Sequence, residues 1–261
     1  MDAGSFGGIL LAIAGILAGL LLEGGHLGQV LQPTAAMIVF GGTFGAVMLQ
    51  FPFRTVFAAL LRLARVFLHR SDQGEAMLRQ IVAFANKARR NGIVSLDQEL
   101  PGVKDPFLRQ ALMLAVDGTE PTELRRIMEV QIENLTENEA RIPAVFESAG
   151  GFSPTIGIIG AVIGLIQVMQ HLDHMNEVGR GIAVAFVATI YGVGSANLFF
   201  LPAAGKLKQR ARDDQRLREM ALEGVISIVE GMNPRMIEIK LAGFCATTRK
   251  TKKAAEEAPS R

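Results

Sequence analysis

The sequence predicts an all-α integral membrane protein with four transmembrane helices and a large helical cytoplasmic domain between helices 2 and 3. Three observations predict this class: four long stretches without charge, an uneven distribution of Lys and Arg around them, and helical spacing of apolar residues in the polar middle of the chain. Of the 261 residues, 49% are hydrophobic, and the mean hydropathy of +0.30 indicates that part of the chain lies in lipid.

The four uncharged stretches have the length of membrane-spanning helices. A helix needs about 20 apolar residues to cross the hydrocarbon core of a bilayer. The stretches are 3–22, 34–50, 152–170 and 181–204. Because a chain of this size is too small to bury four such helices in a soluble core, we interpret all four as transmembrane.

The basic residues around these stretches predict the orientation, since Lys and Arg accumulate in the cytoplasmic flanks of membrane helices. Segment 23–33, between the first two spans, has neither Lys nor Arg, and the loop between spans three and four has only Arg180. The other flanks carry Arg54, Arg62, Arg65 and Arg70 after span two, and Lys206, Lys208, Arg210 and Arg212 after span four. We therefore expect a multi-pass protein of the cell inner membrane, with both termini and segment 51–150 in the cytoplasm.

The polar middle of the chain has helical periodicity and no strand pattern. Apolar residues recur at helical spacing in two runs, with breaks at 101–106 and 118–121. The runs are Met77, Ile81, Phe84, Ala85 and Ala88, followed by Leu124, Ile127, Met128, Ile132 and Leu135. Amphipathic helices of this kind need an apolar partner, which is either each other or the ends of the spans. A further helix, roughly 206–231, is predicted to continue span four into the cytoplasm.

These segments divide the chain into five parts. We assign 1–50 to transmembrane helices 1 and 2, and 51–150 to the cytoplasmic helical domain. Segment 151–204 holds transmembrane helices 3 and 4, and 205–246 is a cytoplasmic C-terminal helical region. The last part, 247–261, is mixed in charge and poor in apolar residues, and it is predicted to be disordered.

Small residues and prolines stand at regular places in the spans. Small residues four apart let helix backbones approach closely in lipid. The pairs are Gly15 and Gly19, Gly41 and Gly45, Gly157 and Ala161, and Gly160 and Gly164. Pro154 is predicted to open span three, where its missing N–H costs little because a backbone N–H in the first turn has no partner in the helix. Pro202 closes span four, where it is predicted to loosen or kink the helix that continues into the cytoplasm; termination of the helix is the alternative.

No ionisable residue lies in the middle of any span, although proteins that move ions across membranes usually place one there. A hydroxyl such as that of Thr189 can line a hydrated path but cannot titrate at neutral pH. If the protein works on ions, the carboxylate must therefore come from another chain. The alternative for Thr189 is a hydrogen bond between helices or within its own helix. We find no motif for catalysis or for binding of a cofactor, a metal or nucleic acid, and we predict none of these.

Four segments carry a more specific pattern: 41–46, 150–165, 181–197 and 231–238. Together they resemble the MotA family of flagellar motor stators, in matching order over nearly the whole chain. The resemblance implies a homo-oligomeric ring, a pentamer around a dimer of the single-span protein MotB, which supplies the ion-binding aspartate. It also implies that ion passage turns the ring against the rotor protein FliG. The partners expected are therefore MotB, FliG, further copies of this chain and membrane lipid.

The resemblance extends to individual residues. Those matched to the ion path and its conformational coupling are Pro154, Thr155, Thr189 and Pro202. Those matched to the rotor interface are Arg89, Arg90, Asp97 and Glu99. Asp97 stands where the family more often has Glu. Ala188 stands before Thr189, where sodium-type relatives tend to have a second threonine, so protons are favoured as the driving ion.

Other functions remain open from the sequence. Energisers of the ExbB and TolQ type also use an ion gradient, for outer-membrane work, but they are generally three-span proteins without this middle segment. A self-contained transporter or channel is disfavoured by the absence of a charged residue at mid-span. A purely structural membrane scaffold would be recognised by the absence of a motility defect on deletion.

Overall fold

The computed structural model describes residues 3–66, 73–173 and 175–256, and all regular structure within them is helical. The all-α class is therefore confirmed for this part of the chain. The α-helices are α1 (Ala3–Leu22), α2 (Pro33–Ala36), α3 (Gly42–Gln50), α4 (Phe53–Val66), α5 (Gln73–Asn91), α6 (Pro106–Val116), α7 (Pro121–Gln170), α8 (Met175–Ser195), α9 (Leu201–Val229) and α10 (Pro234–Glu256). Arg70 and residues 257–261 lie outside the described residues.

The chain divides into two compact units. Residues up to 69, together with 139–209, form unit 1, and 70–138 with 210 onward form unit 2. Helices α7 and α9 contribute to both units. The domain boundaries predicted at residues 150 and 205 fall inside these two helices. Neither helix is interrupted by a loop at those positions.

Three described helical stretches are long and apolar enough to cross a membrane. They are Pro33–Gln50 and parts of Pro121–Gln170 and Val178–Val229. Helix α1 has 20 residues and coincides with the first predicted span. The count of four spans stays a prediction.

The third predicted span is the end of a longer helix. Helix α7 has 50 residues and contains Pro143 and Pro154 in its interior, so the prediction that Pro154 opens a helix is wrong. The helix begins at Pro121 instead. An interior proline leaves the carbonyl four residues before it, that of Gly150, without its amide partner. Intact helical turns on both sides hold the backbone in register across this position.

Unit 2 has an apolar core in which both predicted amphipathic runs meet. Residues of α5, α6, α7, α9 and α10 form one buried cluster. Fully or almost fully buried members include Ile81, Phe84 and Ala85 from the first run, and Leu124, Met128 and Ile132 from the second. The helical spacing of both runs is confirmed, and the runs pack in one core with α9 and α10.

An ion-pair network lies beside this core. Glu223 on α9 accepts a hydrogen bond from Arg125 on α7 at 2.9 Å and forms a salt bridge with Lys240 on α10. Burial alone would raise the pKa of Glu223, but the hydrogen bonds from Lys240 and Arg125 outweigh it and lower the pKa overall. The same carboxylate raises the pKa of Arg125. Three helices of unit 2 are thus joined through one charged carboxylate.

The C-terminal helix is longer than expected. Helix α10 continues to Glu256, whereas the sequence predicts disorder from residue 247. Lys, Ala and Glu dominate segment 250–256, and all three are strong helix formers. The low apolar content of 247–261 predicts disorder, but the helix propensity of residues 250–256 favours continuation of the helix.

Candidate functional site

Helices α7 and α8 approach each other backbone to backbone in unit 1. A Cβ added to Gly192 would lie 2.6 Å from the Ser153 carbonyl oxygen, and one added to Gly157 would lie 2.9 Å from the Ala188 carbonyl oxygen. Gly164 leaves equally little room, with a backbone nitrogen of α8 at 2.9 Å. Atoms do not approach a real Cβ this closely, so the helix pair requires glycine at these positions.

The small-residue pattern of the sequence is used only in part within one chain. Gly157, Gly160 and Gly164 on α7 each have atoms within 3 Å of an added Cβ. In contrast, an added Cβ would meet nothing within 4 Å at Gly15, Gly19, Gly41 and Gly45. Close packing between helices of this chain is therefore confirmed for Gly157, Gly160 and Gly164.

Two serines link the same helices at the Gly192 contact. Ser153 is fully buried, and its Oγ lies 3.0 Å from the Gly192 carbonyl oxygen and 2.7 Å from Ser195 Oγ. A buried hydroxyl without a partner is costly, and this arrangement satisfies both serines. Both serines lie within the predicted spans, but only the fold brings them together.

A π-helical turn, Ala196–Phe200, joins α8 to α9, so the helix remains continuous past the span. Pro202 is the second residue of α9. Because proline lacks an N–H and its ring crowds the preceding turn, regular hydrogen bonding cannot continue through that turn. A π-helical turn is one way in which a helix accommodates this defect. The loosening predicted near Pro202 takes the form of this turn, without a break in the helix.

The two threonines predicted for the ion path lie in unit 1 and bond within their own helices. Thr155 is exposed, and its hydroxyl donates to the Phe152 carbonyl at 2.8 Å. Thr189 is half-buried, and its hydroxyl donates to the Ala185 carbonyl at 3.3 Å. Among the described residues no hydrogen bond joins the two hydroxyls. The 3.3 Å bond of Thr189 is long, so this hydroxyl is weakly held.

Tyr191 has a role that the sequence analysis missed. Its hydroxyl donates to the Val30 carbonyl at 2.6 Å and accepts from the Gln32 backbone N–H at 3.3 Å. Its ring stacks on Phe40 with centroids 6.0 Å apart. Tyr191 therefore ties α8 to the connection that precedes α2. It is the only tyrosine of the chain, and this is the only feature by which the sequence distinguishes it from the other polar residues of the spans.

The residues predicted for the rotor interface lie in unit 2, around the end of α5. Arg89, Arg90 and Asp97 are exposed, and among the described residues none of them has an ion pair or hydrogen bond through its side chain. Glu99 is half-buried and pairs with Lys87 at 2.5 Å. Three of the four charges are thus available to a partner, whereas Glu99 also holds the α5 connection in place.

Fold and site together define a helical membrane protein with a close-packed helix pair that lacks a carboxylate of its own at mid-span. Residues 99–220 match the MotA/TolQ/ExbB proton channel family, and residues 6–92 match the N-terminal family of motility protein A. The chain is 36% identical to motility protein A of Bacillus subtilis (strain 168), over 92% of this chain and 90% of the relative.

Solved structures agree with these matches. The structure of C. jejuni MotAB has a TM-score of 0.88 at 33% identity, covering 94% of this chain and 96% of that chain. The flagellar MotAB stator complex from Bacillus subtilis has a TM-score of 0.87 at 33% identity, covering 97% and 100%. The chain belongs to the motility protein A family. It is a stator subunit of the bacterial flagellar motor and not an enzyme, and the N-terminal match separates it from the ExbB and TolQ alternative.

Proposed function

We propose that this chain forms, with a single-span MotB partner, the ion channel whose flux drives rotation of the flagellar rotor. The observation that carries this proposal is the α7–α8 pair, which offers hydroxyls but no ionisable group at mid-span. A permeating proton needs a titratable site in the low-dielectric interior. An aspartate supplied by the partner meets that need, and two relatives of known structure are MotAB complexes.

The membrane arrangement proposed is four spans, with both termini and segment 51–150 in the cytoplasm. The three membrane-length stretches, the position of α1 and the basic residues after spans two and four support it. Assembly of several copies into a ring is also proposed, as a pentamer around a MotB dimer. Exposed apolar side chains support this assembly. Apolar side chains on α7 and α8 are exposed in the single chain, among them Ile158, Val162, Ile166, Phe186 and Ile190.

The driving ion is proposed to be the proton. The supporting observation is Ala188, which is fully buried and lies against Gly160 of α7, so this position has no hydroxyl to help coordinate sodium. A strain whose only stator contains this chain should swim at the same speed when sodium is replaced by potassium, and should slow when the proton gradient is collapsed. Speed that rises with sodium concentration would contradict proton coupling.

The hydroxyl of Thr189 is proposed to face the partner carboxylate and to ease its protonation. Its bond to Ala185 is long, and it is only half-buried in the single chain, so it can turn to a new acceptor. Thr189→Ala should therefore reduce proton influx and swimming speed several-fold while membrane protein levels stay unchanged. If the hydroxyl served only its own helix, the loss would be small, because hydrogen bonds in membranes average about 0.6 kcal/mol.

Thr189→Ser is the matched control, because it keeps the hydroxyl and removes only a methyl group. Proton influx into cells, normalised to the amount of stator in the membrane, should remain near the wild-type level in this variant. Equal loss in the alanine and serine variants would indicate a packing role for the methyl group. Normal swimming of the alanine variant would remove Thr189 from the ion path.

Pro154 and Pro202 are proposed to couple ion binding to helix movement, and the Thr155 hydroxyl is proposed to flank the ion site. Pro154 leaves one carbonyl of α7 without an amide partner, and the π-helical turn precedes Pro202 in the helix that follows α8. Missing or shifted hydrogen bonds make these two places the easiest to bend. Thr155 is exposed next to Pro154, where a hydroxyl can meet water or the partner helix.

The rotor contact is proposed to consist of Arg89, Arg90, Asp97 and Glu99, facing the rotor protein FliG. The first three are exposed without a partner among the described residues, and the Lys87–Glu99 pair holds segment 93–102 against α5. Exposed charges of this kind fix the register of two proteins more than they add affinity.

A further inference from the structure

Helix α4 follows the membrane-length stretch Pro33–Gln50 after two residues and buries one of its faces. The stretch ends at Gln50, and α4 runs over Phe53–Val66, which contains arginines but no acidic residue. Val56 and Ala59 are 3% and 0% exposed, in a cluster with α3, α7 and α9 of unit 1. This buried face holds α4 where the chain leaves the apolar stretch.

A second face of α4 is apolar and uncovered. The exposed fractions of Phe53, Phe57, Leu60 and Leu61 are 66%, 53%, 44% and 60%. At about 100° per residue, these four side chains form a stripe beside the buried face. Arg54 lies at the far edge of that stripe, and Arg62 lies about 100° beyond Leu61 on the same side of the helix. Both arginines are exposed and without a partner among the described residues. An apolar stripe bordered by arginines is typical of a helix that lies among lipid headgroups.

A small apolar crevice adjoins this stripe. It has a volume of about 70 Å³ and is lined by side chains that include Phe44, Val47 and Leu60. Its polar lining residue, Thr43, donates its hydroxyl to the Val39 carbonyl at 2.6 Å, so no unsatisfied hydroxyl faces the space. Sites that enclose small molecules usually measure about 300–1,000 Å³. The crevice therefore suits a few methylene groups of a longer chain.

We propose that this face of α4 binds an anionic phospholipid. Arg54 and Arg62 contact the negatively charged headgroup region, and an acyl chain lies along Phe57 and Leu60 with part of its length in the crevice. The charge of α4 selects the headgroup, because arginines are the only charged residues of the helix and anionic lipid surfaces attract them. This inference rests on the membrane arrangement proposed above, but not on the ion path or the rotor contact.

The test counts bound lipids by native mass spectrometry of the full chain, purified with its partner and stripped of lipid in neutral detergent. It is titrated with phosphatidylglycerol and with phosphatidylcholine carrying the same acyl chains. The wild type should prefer phosphatidylglycerol. Arg54→Gln combined with Arg62→Gln should weaken phosphatidylglycerol binding roughly thirty-fold, from about 1 kcal/mol for each arginine, and leave phosphatidylcholine binding unchanged.

Two further variants separate charge from acyl contact. Arg126→Gln combined with Arg235→Gln removes two exposed arginines of unit 2 and should leave the lipid preference intact. Phe57→Ser should weaken binding of both lipids, because it removes an exposed ring from the acyl stripe. Glycerol 3-phosphate, which has a phosphate but no acyl chain, should fail to displace bound phosphatidylglycerol at equal concentration.

Three results would overturn the proposal. The first is equal binding of the two lipids by the wild type, and the second is equal loss in the two double-arginine variants. The third is a disulfide between neighbouring copies of Phe57→Cys in a Cys245→Ser background, because a second copy would then cover the stripe. None of these measurements depends on swimming or proton influx, so the lipid site and the ion-channel function can fail separately.

Discussion

Gly192→Ala should abolish swimming because the helix pair α7–α8 can no longer close. The added methyl group would lie 2.6 Å from the Ser153 carbonyl oxygen and 3.0 Å from the Gly157 Cα. Both are backbone atoms, so no side-chain rotation relieves the clash. Overpacking typically costs about 1–3 kcal/mol, and separation of the helices would also break the serine contacts at Gly192. The measurements are swimming speed, the amount of protein in the membrane and its unfolding temperature in detergent.

Gly194→Ala is the matched control on the same helix. An added Cβ at Gly194 meets nothing within 4 Å, so this variant should reach the membrane and unfold at the wild-type temperature. Any effect of alanine on helix propensity is shared by the two variants, so the difference between them isolates the contact with α7. A Gly192→Ala protein with unchanged abundance and unfolding temperature would show that the helices are not in backbone contact in the membrane.

Arg89→Glu combined with Arg90→Glu should stop rotation while membrane assembly stays intact. Both arginines are exposed at the end of α5 and pair with no described residue. Exposed substitutions of this kind usually change stability by no more than about 0.5 kcal/mol. Reversal of two interface charges, in contrast, turns attraction into repulsion and costs several kcal/mol when like charges face each other. Swimming speed and the rotation of tethered cells measure the effect.

Arg126→Glu, also an exposed arginine of unit 2, is the control for a general effect of added negative charge. It should leave rotation unchanged. A charge reversal of acidic residues on the rotor protein should restore part of the torque to the double variant, because complementary charge fixes the register of the interface. Full motility of the double variant would exclude these arginines from the rotor contact.

The sequence predicted the helical class and the core residues of unit 2 because those signals are local. Absence of charge over 181–204 and the spacing of Ile81, Phe84 and Ala85 can each be observed within a single segment. The structure places helices over the uncharged stretches and buries these three side chains in one core. The prediction failed at Pro154, where proline statistics favour a helix start, because the long helix on both sides outweighs the loss of one hydrogen bond.

The candidate site was predicted less completely. Thr155 and Thr189 were identified through family resemblance, and periodicity alone could not separate them from other span hydroxyls. Tyr191 was missed because its partners, Val30 and Gln32, are about 160 positions away in the sequence. Such a contact leaves no pattern in the segment around either residue.

By itself the sequence determined what each segment of this protein is: which stretches are apolar enough for lipid, which helices are amphipathic, and that no span carries its own carboxylate. These properties depend on the side chains of neighbouring residues and on the fixed geometry of the helix. Only the tertiary structure decided which segments touch. The backbone contact at Gly192, the buried pair Ser153 and Ser195, and the uncovered face of α4 each depend on how distant helices pack. Packing depends on the shapes of both contacting helix surfaces, and the sequence of one segment describes only one of them.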